Sequence, residues 1–345
     1  MTAKNEGDEG PFHRDDIISL DISTDRKTVV TGQTGKTPSV HVWDAHSCEQ
    51  VSTFQLAAGS RGVASVSISP CGRYVACVDL HNDHRVTIYN IQRQKQLLHI
   101  EGGKERIFDI AWSRRADDFR FATVSLKEVK FWHPADVTKR LSQKGTFGKN
   151  ATMTNLSCVA FDEEGWGYTG GENGHIHVWS DACQVVKSIK AHAGAITGLV
   201  ADAGRIISGG KDHKVAIISA QGGNFKLEKF VELSSSFPRS IDFINGNLLV
   251  GLRNGTISEF KNVLEGDDAT ENFLIQSHFE GEVWGLSLVD GGKKVLTCGD
   301  DNKFMLFDTE TKKFERAGRV NESKVDQIKG KSYTASSMSV YAHNQ

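Results

Sequence analysis

The sequence predicts an all-β fold built from repeated antiparallel sheets, and three observations support this prediction. From His278 to Asp308, three short apolar segments are separated by glycine-rich and charged turns, the pattern of a three-stranded antiparallel meander. A similar pattern begins at His192. The end of the third strand then recurs along the chain at positions 43, 89, 132, 179, 218, 260 and 307. Seven copies of one unit are therefore expected.

The period of these copies indicates the architecture. The anchoring positions are 46, 43, 47, 39, 42 and 47 residues apart. A period of roughly 40 to 45 residues is that of a β-propeller blade, which has four strands. Because no single unit of this length can bury its own apolar faces, one ring is favoured over the two domains that 345 residues would otherwise suggest. The predicted fold class is an all-β, seven-bladed β-propeller of four-stranded antiparallel blades.

The third strands carry a more specific resemblance. Ser39-Val-His-Val-Trp43-Asp44 ends in a Trp-Asp dipeptide, and the third strands of two other copies end at Trp132 and Trp179. These residues resemble the WD-repeat β-propellers, over residues from about 13 to 318. We therefore expect a flexible N-terminal tail at 1–12, a single seven-bladed propeller at 13–318, and a C-terminal linker or closing segment at 319–345.

The repeats follow one another along the chain. Their approximate limits are His13 to Leu56, Arg61 to Ile100, Lys104 to Pro134, Leu156 to Lys190, from His192 onward for the fifth, Pro238 to Val263, and from His278 onward for the seventh. Residues 135–154 predict an outer strand and a surface loop, and residues 264–272 an exposed acidic loop. A propeller ring can be closed by an N-terminal strand that completes the last blade, but residues 1–12 are too polar for this. Completion of the last blade by a segment such as Lys313 to Val320 is the alternative.

Composition excludes several classes of partner. The net charge is only −2, from 41 basic and 43 acidic residues, which provides no overall field for nucleic acid or an anionic membrane. The six cysteines have no paired metal-ligand spacing, and no apolar segment approaches the roughly 20 residues of a membrane helix. The N-terminus has no apolar signal core. A reducing cytosolic or cytoskeletal setting is expected.

Two apparent ligand motifs are better explained by structure. Thr31-Gly-Gln-Thr-Gly-Lys-Thr37 has only two residues between its glycines and leads through Pro38 into a strand, so it does not predict a phosphate-binding loop. Histidines occur near the turns between second and third strands, without the spacing of a metal site, and we expect them to be solvated; they are His81, His84, His175, His177 and His213. No cofactor or metal is predicted.

In WD-repeat proteins a histidine before the first strand, a serine or threonine in the second, an aspartate in the next turn and a tryptophan in the third strand form a hydrogen-bonded network. The resemblance assigns the first three roles to His192, Ser208 and Asp212 in the fifth repeat, and to His278, Thr297 and Asp301 in the seventh. Both repeats lack the tryptophan. We interpret these residues as structural, because no nucleophile elbow or oxyanion loop accompanies them.

The tryptophans are also interpreted as structural. Trp43, Trp132 and Trp179 are expected to pack between adjacent blades. Trp112 and Trp284 lie in first strands, which are nearest the central channel of a propeller. For these two residues a core position and partial exposure at the mouth of the channel are both possible.

A narrower resemblance rests on three segments: Asn82-Asp83-His84, Gly281-Glu-Val-Trp-Gly-Leu286 and Leu296-Thr-Cys-Gly-Asp-Asp301. They resemble the first propeller of the echinoderm-microtubule-associated-protein-like (EMAP-like) family. Lys331 to Tyr341 resembles the joint to that family's second propeller, whereas the family's N-terminal coiled coil and the hydrophobic motif before the propeller have no counterpart here. The resemblance implies half of a tandem-propeller domain that contacts tubulin.

The loops before first strands and between second and third strands are expected to share one face. The basic residues there are candidates for contact with acidic tubulin, namely Arg14, Arg61, Lys104, Arg106, Lys127, Lys211, Arg239 and Arg253. The same loops also contain Asp15, Asp16, Glu105 and Asp212, so a mixed solvated surface is the alternative.

Two functions remain open from the sequence. The first is a scaffold of the microtubule cytoskeleton that binds tubulin, microtubules or associated proteins. The second is a generic WD-repeat scaffold in another multiprotein assembly, which rests on the fold alone. An enzyme is not predicted, because convergent carboxylates or a metal cluster at the channel mouth are not evident in the sequence.

Overall fold

A computed structural model describes residues 13–134, 141–266, 269–279 and 282–319. Residues 1–12, predicted to be a tail, and residues 320–345, predicted to belong to the C-terminal linker, lie outside the described residues. The limits of the single propeller at 13–318 stay a prediction. No helix among the described residues has the length and apolar character needed to cross a membrane.

The described strands form seven four-stranded antiparallel sheets, so the predicted all-β, seven-bladed propeller is confirmed. Blades 1 to 4 contain β1 (Ile17–Ile22), β2 (Thr28–Gln33), β3 (Ser39–Asp44) and β4 (Gln50–Gln55); β5 (Val63–Ile68), β6 (Tyr74–Asp79), β7 (Val86–Asn90) and β8 (Lys95–Ile100); β9 (Ile107–Trp112), β10 (Phe121–Ser125), β11 (Glu128–Trp132) and β12 (Ser142–Lys144); and β13 (Leu156–Phe161), β14 (Gly167–Gly171), β15 (His175–Trp179) and β16 (Val185–Lys190).

Blades 5 to 7 contain β17 (Ile196–Asp202), β18 (Arg205–Gly210), β19 (Lys214–Ser219) and β20 (Lys226–Glu232); β21 (Pro238–Ile244), β22 (Asn247–Leu252), β23 (Ile257–Phe260) and β24 (Glu271–Ile275); and β25 (Val283–Val289), β26 (Lys294–Gly299), β27 (Lys303–Asp308) and β28 (Phe314–Arg319). Short 3₁₀ turns lie at Gln221–Gly223 and Asp290–Gly292. In every blade each strand pairs with the next strand along the chain.

The first strands share a local irregularity. The register with the second strand shifts near the start of all seven described first strands, for example between Val63 and Ser65 and between Pro238 and Ser240. Such a bulge leaves one residue unpaired and changes the direction of its side chain. The repeat therefore carries a structural signature that its apolar pattern does not show.

The chain divides into two compact units. One comprises the chain up to Asp212 together with Ala216–Phe230, and the other comprises His213–Val215 and the chain from Val231 onward. Within the first unit, aromatic residues of adjacent blades pack together: the rings of Phe54 and Tyr89 stack with centroids 4.5 Å apart. Trp112 is buried, so its core position is confirmed. In the second unit, Leu248, Val250 and Phe260 are buried in blade 6.

Aspartates join neighbouring first strands in the first unit. Asp21 of β1 accepts hydrogen bonds from the Ser67 hydroxyl at 3.0 Å and the Ile68 amide at 2.8 Å, both in β5. Asp109 of β9 accepts from the Ser65 hydroxyl at 2.8 Å and the Val159 amide at 2.9 Å. Burial raises the pKa of Asp109 to about 6, although these donors oppose the shift. Buried carboxylates thus link neighbouring first strands, and the removal of these carboxylates from water opposes part of the stabilisation.

Candidate partner-binding face

The residues predicted for the network of blade 5 lie within hydrogen-bond distance of one another. His192 Nδ1 lies 2.9 Å from Asp212 Oδ1, and His192 Nε2 lies 2.9 Å from Ser208 Oγ. The Ala193 amide donates to the other Asp212 oxygen at 2.9 Å. Burial alone would raise the pKa of Asp212, but the Ala193 amide and His192 hold it below its usual value.

This geometry resembles that of a Ser-His-Asp triad, but substrate has no access to it. Ser208 is 0% exposed and His192 only 2% exposed. A catalytic nucleophile must be reachable by the substrate. These residues therefore have a structural position, because they connect the segment that precedes β17 with β18 and with the turn that follows β18.

The network of blade 7 has the same form. His278 Nδ1 lies 2.7 Å from Asp301 Oδ1, and Nε2 lies 3.0 Å from Thr297 Oγ1. A Cβ on Gly299 would lie 3.0 Å from the histidine ring, so this position favours a residue without a side chain. The stabilising role of both networks stays a proposal.

Sequence reasoning missed a third network, in blade 1. His13 contacts the Thr31 hydroxyl and the Gln33 side chain, and the Trp43 indole N–H donates to Thr31 Oγ1 at 2.7 Å. Gln33 takes the position of the aspartate as the partner of His13 Nδ1, at 2.7 Å. The available signal was the spacing, because His13 precedes the first strand by four residues, as His192 does.

The expectation of solvated turn histidines is wrong for His177. This residue lies inside β15, is 0% exposed, and neither ring nitrogen has a hydrogen-bond partner within the described part of the chain. The edge of Phe147 packs against it with ring centroids 5.4 Å apart. Burial, aided by His175, lowers the pKa of His177 to about 4.

The eight basic candidate residues are all exposed. Six lie in the first unit, in segments before first strands or in turns between second and third strands: Arg14, Arg61, Lys104, Arg106, Lys127 and Lys211. These two kinds of segment touch, since the Gly35 amide donates to the Arg61 carbonyl at 3.1 Å and the Gly102 amide to the Asp83 carbonyl at 3.1 Å. We call the surface that carries these six residues the loop face.

The other two candidates lie in the second unit. Arg253 is in the turn between β22 and β23, with its guanidinium carbon 5.7 Å from the centroid of the Phe237 ring. Arg239 is not in a loop as expected, because it is the second residue of β21. The register shift between Pro238 and Ser240 explains its exposure, since a bulge turns the side chain out of the sheet pattern.

A cavity of about 340 Å³ lies at the loop face in blade 3. Its lining includes Gly103, Lys104 and Glu105 before β9, Thr123 and Ser125 in β10, and Lys130 in β11. The Trp132 indole N–H donates to Thr123 Oγ1 at 2.9 Å beside it. Among the described residues, histidines, cysteines and carboxylates form no group of three suited to a metal ion.

Comparison with known proteins was consistent with the fold. The family model described as "Echinoderm microtubule-associated protein first beta-propeller" matches residues 12–240. The model described as "WD domain, G-beta repeat" matches residues 271–308.

Three relatives show the extent of the similarity. The "Ciliary WD repeat-containing protein ctxp80" of Euplotoides octocarinatus is 34% identical over 344 residues, which are 99% of this chain and 46% of the relative. The "77 kDa echinoderm microtubule-associated protein" of Lytechinus variegatus is 28% identical, covering 86% of this chain and 46% of the relative. "Echinoderm microtubule-associated protein-like 1" of Rattus norvegicus is 29% identical, covering 86% of this chain and 37% of the relative. The chain thus spans less than half the length of these relatives.

Proposed function

Because this chain belongs to the family of echinoderm microtubule-associated protein first β-propellers, we propose that it is a non-catalytic scaffold of the microtubule cytoskeleton in the cytoplasm. Its proposed partners are tubulin, microtubules or proteins associated with them. The proposal rests chiefly on the family match, which spans residues 12–240 and therefore most of the first unit.

The loop face supports this proposal through its charge. Asp212, one of its acidic residues, directs one oxygen at His192 and the other at the Ala193 amide, each at 2.9 Å. Its carboxylate is therefore engaged inside the blade. The basic side chains are exposed, and an acidic protein surface would be attracted to them over about one Debye length, roughly 8 to 10 Å at physiological salt.

A rigid blade is suited to such docking. Its strands hold the loops in position before the partner arrives, so less conformational entropy is lost on binding. The buried hydroxyl of Ser208 also fits a docking role better than a catalytic one.

A co-sedimentation assay with tubulin and the 345-residue chain tests the proposal. The test variant carries Arg61→Gln, Lys104→Gln and Lys127→Gln on the loop face. The matched control carries Lys95→Gln, Lys187→Gln and Lys226→Gln on exposed positions of the outer strands β8, β16 and β20, and so changes the net charge equally.

We expect the native chain and the control to bind tubulin at low salt and the loop-face variant to bind about tenfold more weakly. Binding should weaken as salt rises. No binding by the native chain at low or moderate salt would overturn the proposal. Equal losses in the two variants would mean that net charge acts without a specific face.

A further inference from the structure

The cavity of blade 3 lies at the position that a histidine fills in blade 5. His192 precedes the first residue of β17 by four positions, and Gly103 precedes the first residue of β9 by four. The hydroxyl partners also correspond, because Ser208 pairs with Leu199 and Thr123 pairs with Ile110 at the same step of their strands. Blade 3 has the hydroxyl without the imidazole.

A second position shows that blade 3 is built without the ring. Gly210 pairs with Ile196 at the start of blade 5, and a Cβ there would lie 2.3 Å from His192 Nδ1. The corresponding pair in blade 3 is Ser125 with Ile107. A side chain is therefore tolerated in blade 3 at a position where the histidine forbids one.

A lysine projects into the space instead. Lys130 Nζ donates to the Gly102 carbonyl at 2.5 Å, and a Cβ on Gly103 would lie only 3.2 Å from this ammonium. The Lys130 side chain is 19% exposed. An ammonium has three protons, so the bond to Gly102 leaves capacity for a further acceptor.

The charges around the cavity favour an anion. Glu128 lies 2.5 Å from Lys144 Nζ and 3.5 Å from Lys130 Nζ, so its carboxylate is shared between two ammoniums. The lining contains three lysines against Glu105 and Glu128. Lys127, next to the lining in the turn after β10, adds a further positive charge.

We propose that this cavity binds a carboxylate side chain from an acidic segment of the partner protein, paired with the Lys130 ammonium. The volume of about 340 Å³ is at the low end of the roughly 300–1,000 Å³ typical of ligand pockets, which suits a side chain better than a whole small molecule. A charge-assisted hydrogen bond to a carboxylate is stronger than a neutral one. The inference rests on the proposed function, in that tubulin supplies the segment.

Fluorescence anisotropy with a labelled octaglutamate peptide, and with octaglutamine as the uncharged control, tests the pocket. The variant is Lys130→Met, which keeps the length of the side chain and removes its charge. The matched control is Lys95→Met, at an exposed position of β8. Thermal unfolding of each variant shows whether the fold is retained, and Lys130→Gln replaces Lys130→Met if it is not.

We expect the native chain and Lys95→Met to bind octaglutamate, and Lys130→Met to bind it about tenfold more weakly. Octaglutamine should not bind. Equal affinity of native chain and Lys130→Met for octaglutamate, or absence of any octaglutamate binding, would overturn the pocket assignment.

Tubulin binding by the same proteins separates this inference from the proposed function. If the peptide depends on Lys130 but tubulin does not bind, the pocket stands and the tubulin partner is wrong. If tubulin binds and Lys130→Met changes the affinity for neither octaglutamate nor tubulin, the proposed function stands and the pocket is wrong.

Discussion

Replacement of His177 by leucine should change how the stability of the protein depends on pH. His177 is 0% exposed and its pKa is lowered by burial to about 4, against 6.5 in an unfolded chain. The unfolded state therefore takes up a proton at a higher pH than the folded state does. The neutral, buried His177 ring therefore makes its full contribution to stability above pH 6.5, and this contribution is lost as the pH falls toward 4.

The magnitude follows from the difference between the two pKa values. At 1.36 kcal/mol for each pKa unit, protonation of the unfolded chain costs the native protein about 3 kcal/mol between pH 7.5 and pH 4. At pH 7.5, removal of the two buried ring nitrogens, which have no hydrogen-bond partner among the described residues, gains about 1 to 3 kcal/mol. Loss of the ring contact with Phe147 costs about 0.5 to 1.5 kcal/mol.

We therefore expect His177→Leu to be about 1 kcal/mol more stable than the native chain at pH 7.5 and about 4 kcal/mol more stable at pH 4. Urea unfolding at a series of pH values measures both differences. His99→Leu, at an exposed position of β8, is the control for removal of an imidazole outside the core. Parallel stability curves for His177→Leu and the native chain across this range would refute the reasoning.

Two further predictions concern the carboxylates and networks. Asp109→Asn should show the opposite pH dependence, because burial raises the pKa of Asp109 to about 6. As the pH rises from 4 to 7, the native chain should lose about 2 kcal/mol of stability relative to the variant, which urea unfolding measures. A difference in stability that stays constant over this range would contradict the prediction. His192→Phe should destabilise the protein by about 2 to 4 kcal/mol, because it removes the hydrogen-bond partner of buried Ser208 and of Asp212. Thermal unfolding measures this loss, and a melting temperature equal to that of the native chain would count against a structural role.

Much of the candidate site was predictable from the sequence through its resemblance to WD repeats. The resemblance to WD repeats assigned network roles to His192, Ser208 and Asp212, and the structure places these three side chains within hydrogen-bond distance of one another. His13 follows the same rule, but its partner Gln33 replaces the aspartate and broke the pattern being sought. The exposed basic residues of the loop face were likewise predictable, since turns between strands lie at the surface.

Other parts of the site were not identifiable from spacing. Arg239 lies in β21 and not in a loop, and its exposure follows from the register shift at the start of that strand, which depends on how two strands pair. The cavity beside Lys130 depends on a side chain that is missing at Gly103, and the meaning of that absence appears only when two blades are compared in three dimensions.

The sequence by itself determined the number of blades, their order and their strands, because each blade is a local unit whose alternating apolar residues recur at one period. Only the tertiary structure decided that His177 is buried. The Thr146 amide donates to the Cys183 carbonyl at 2.8 Å, which lays the connection after β12 along the outer edge of blade 4 and brings Phe147 over the ring. Alternation along a strand shows which side a residue occupies, whereas burial depends on what another part of the chain places against that side.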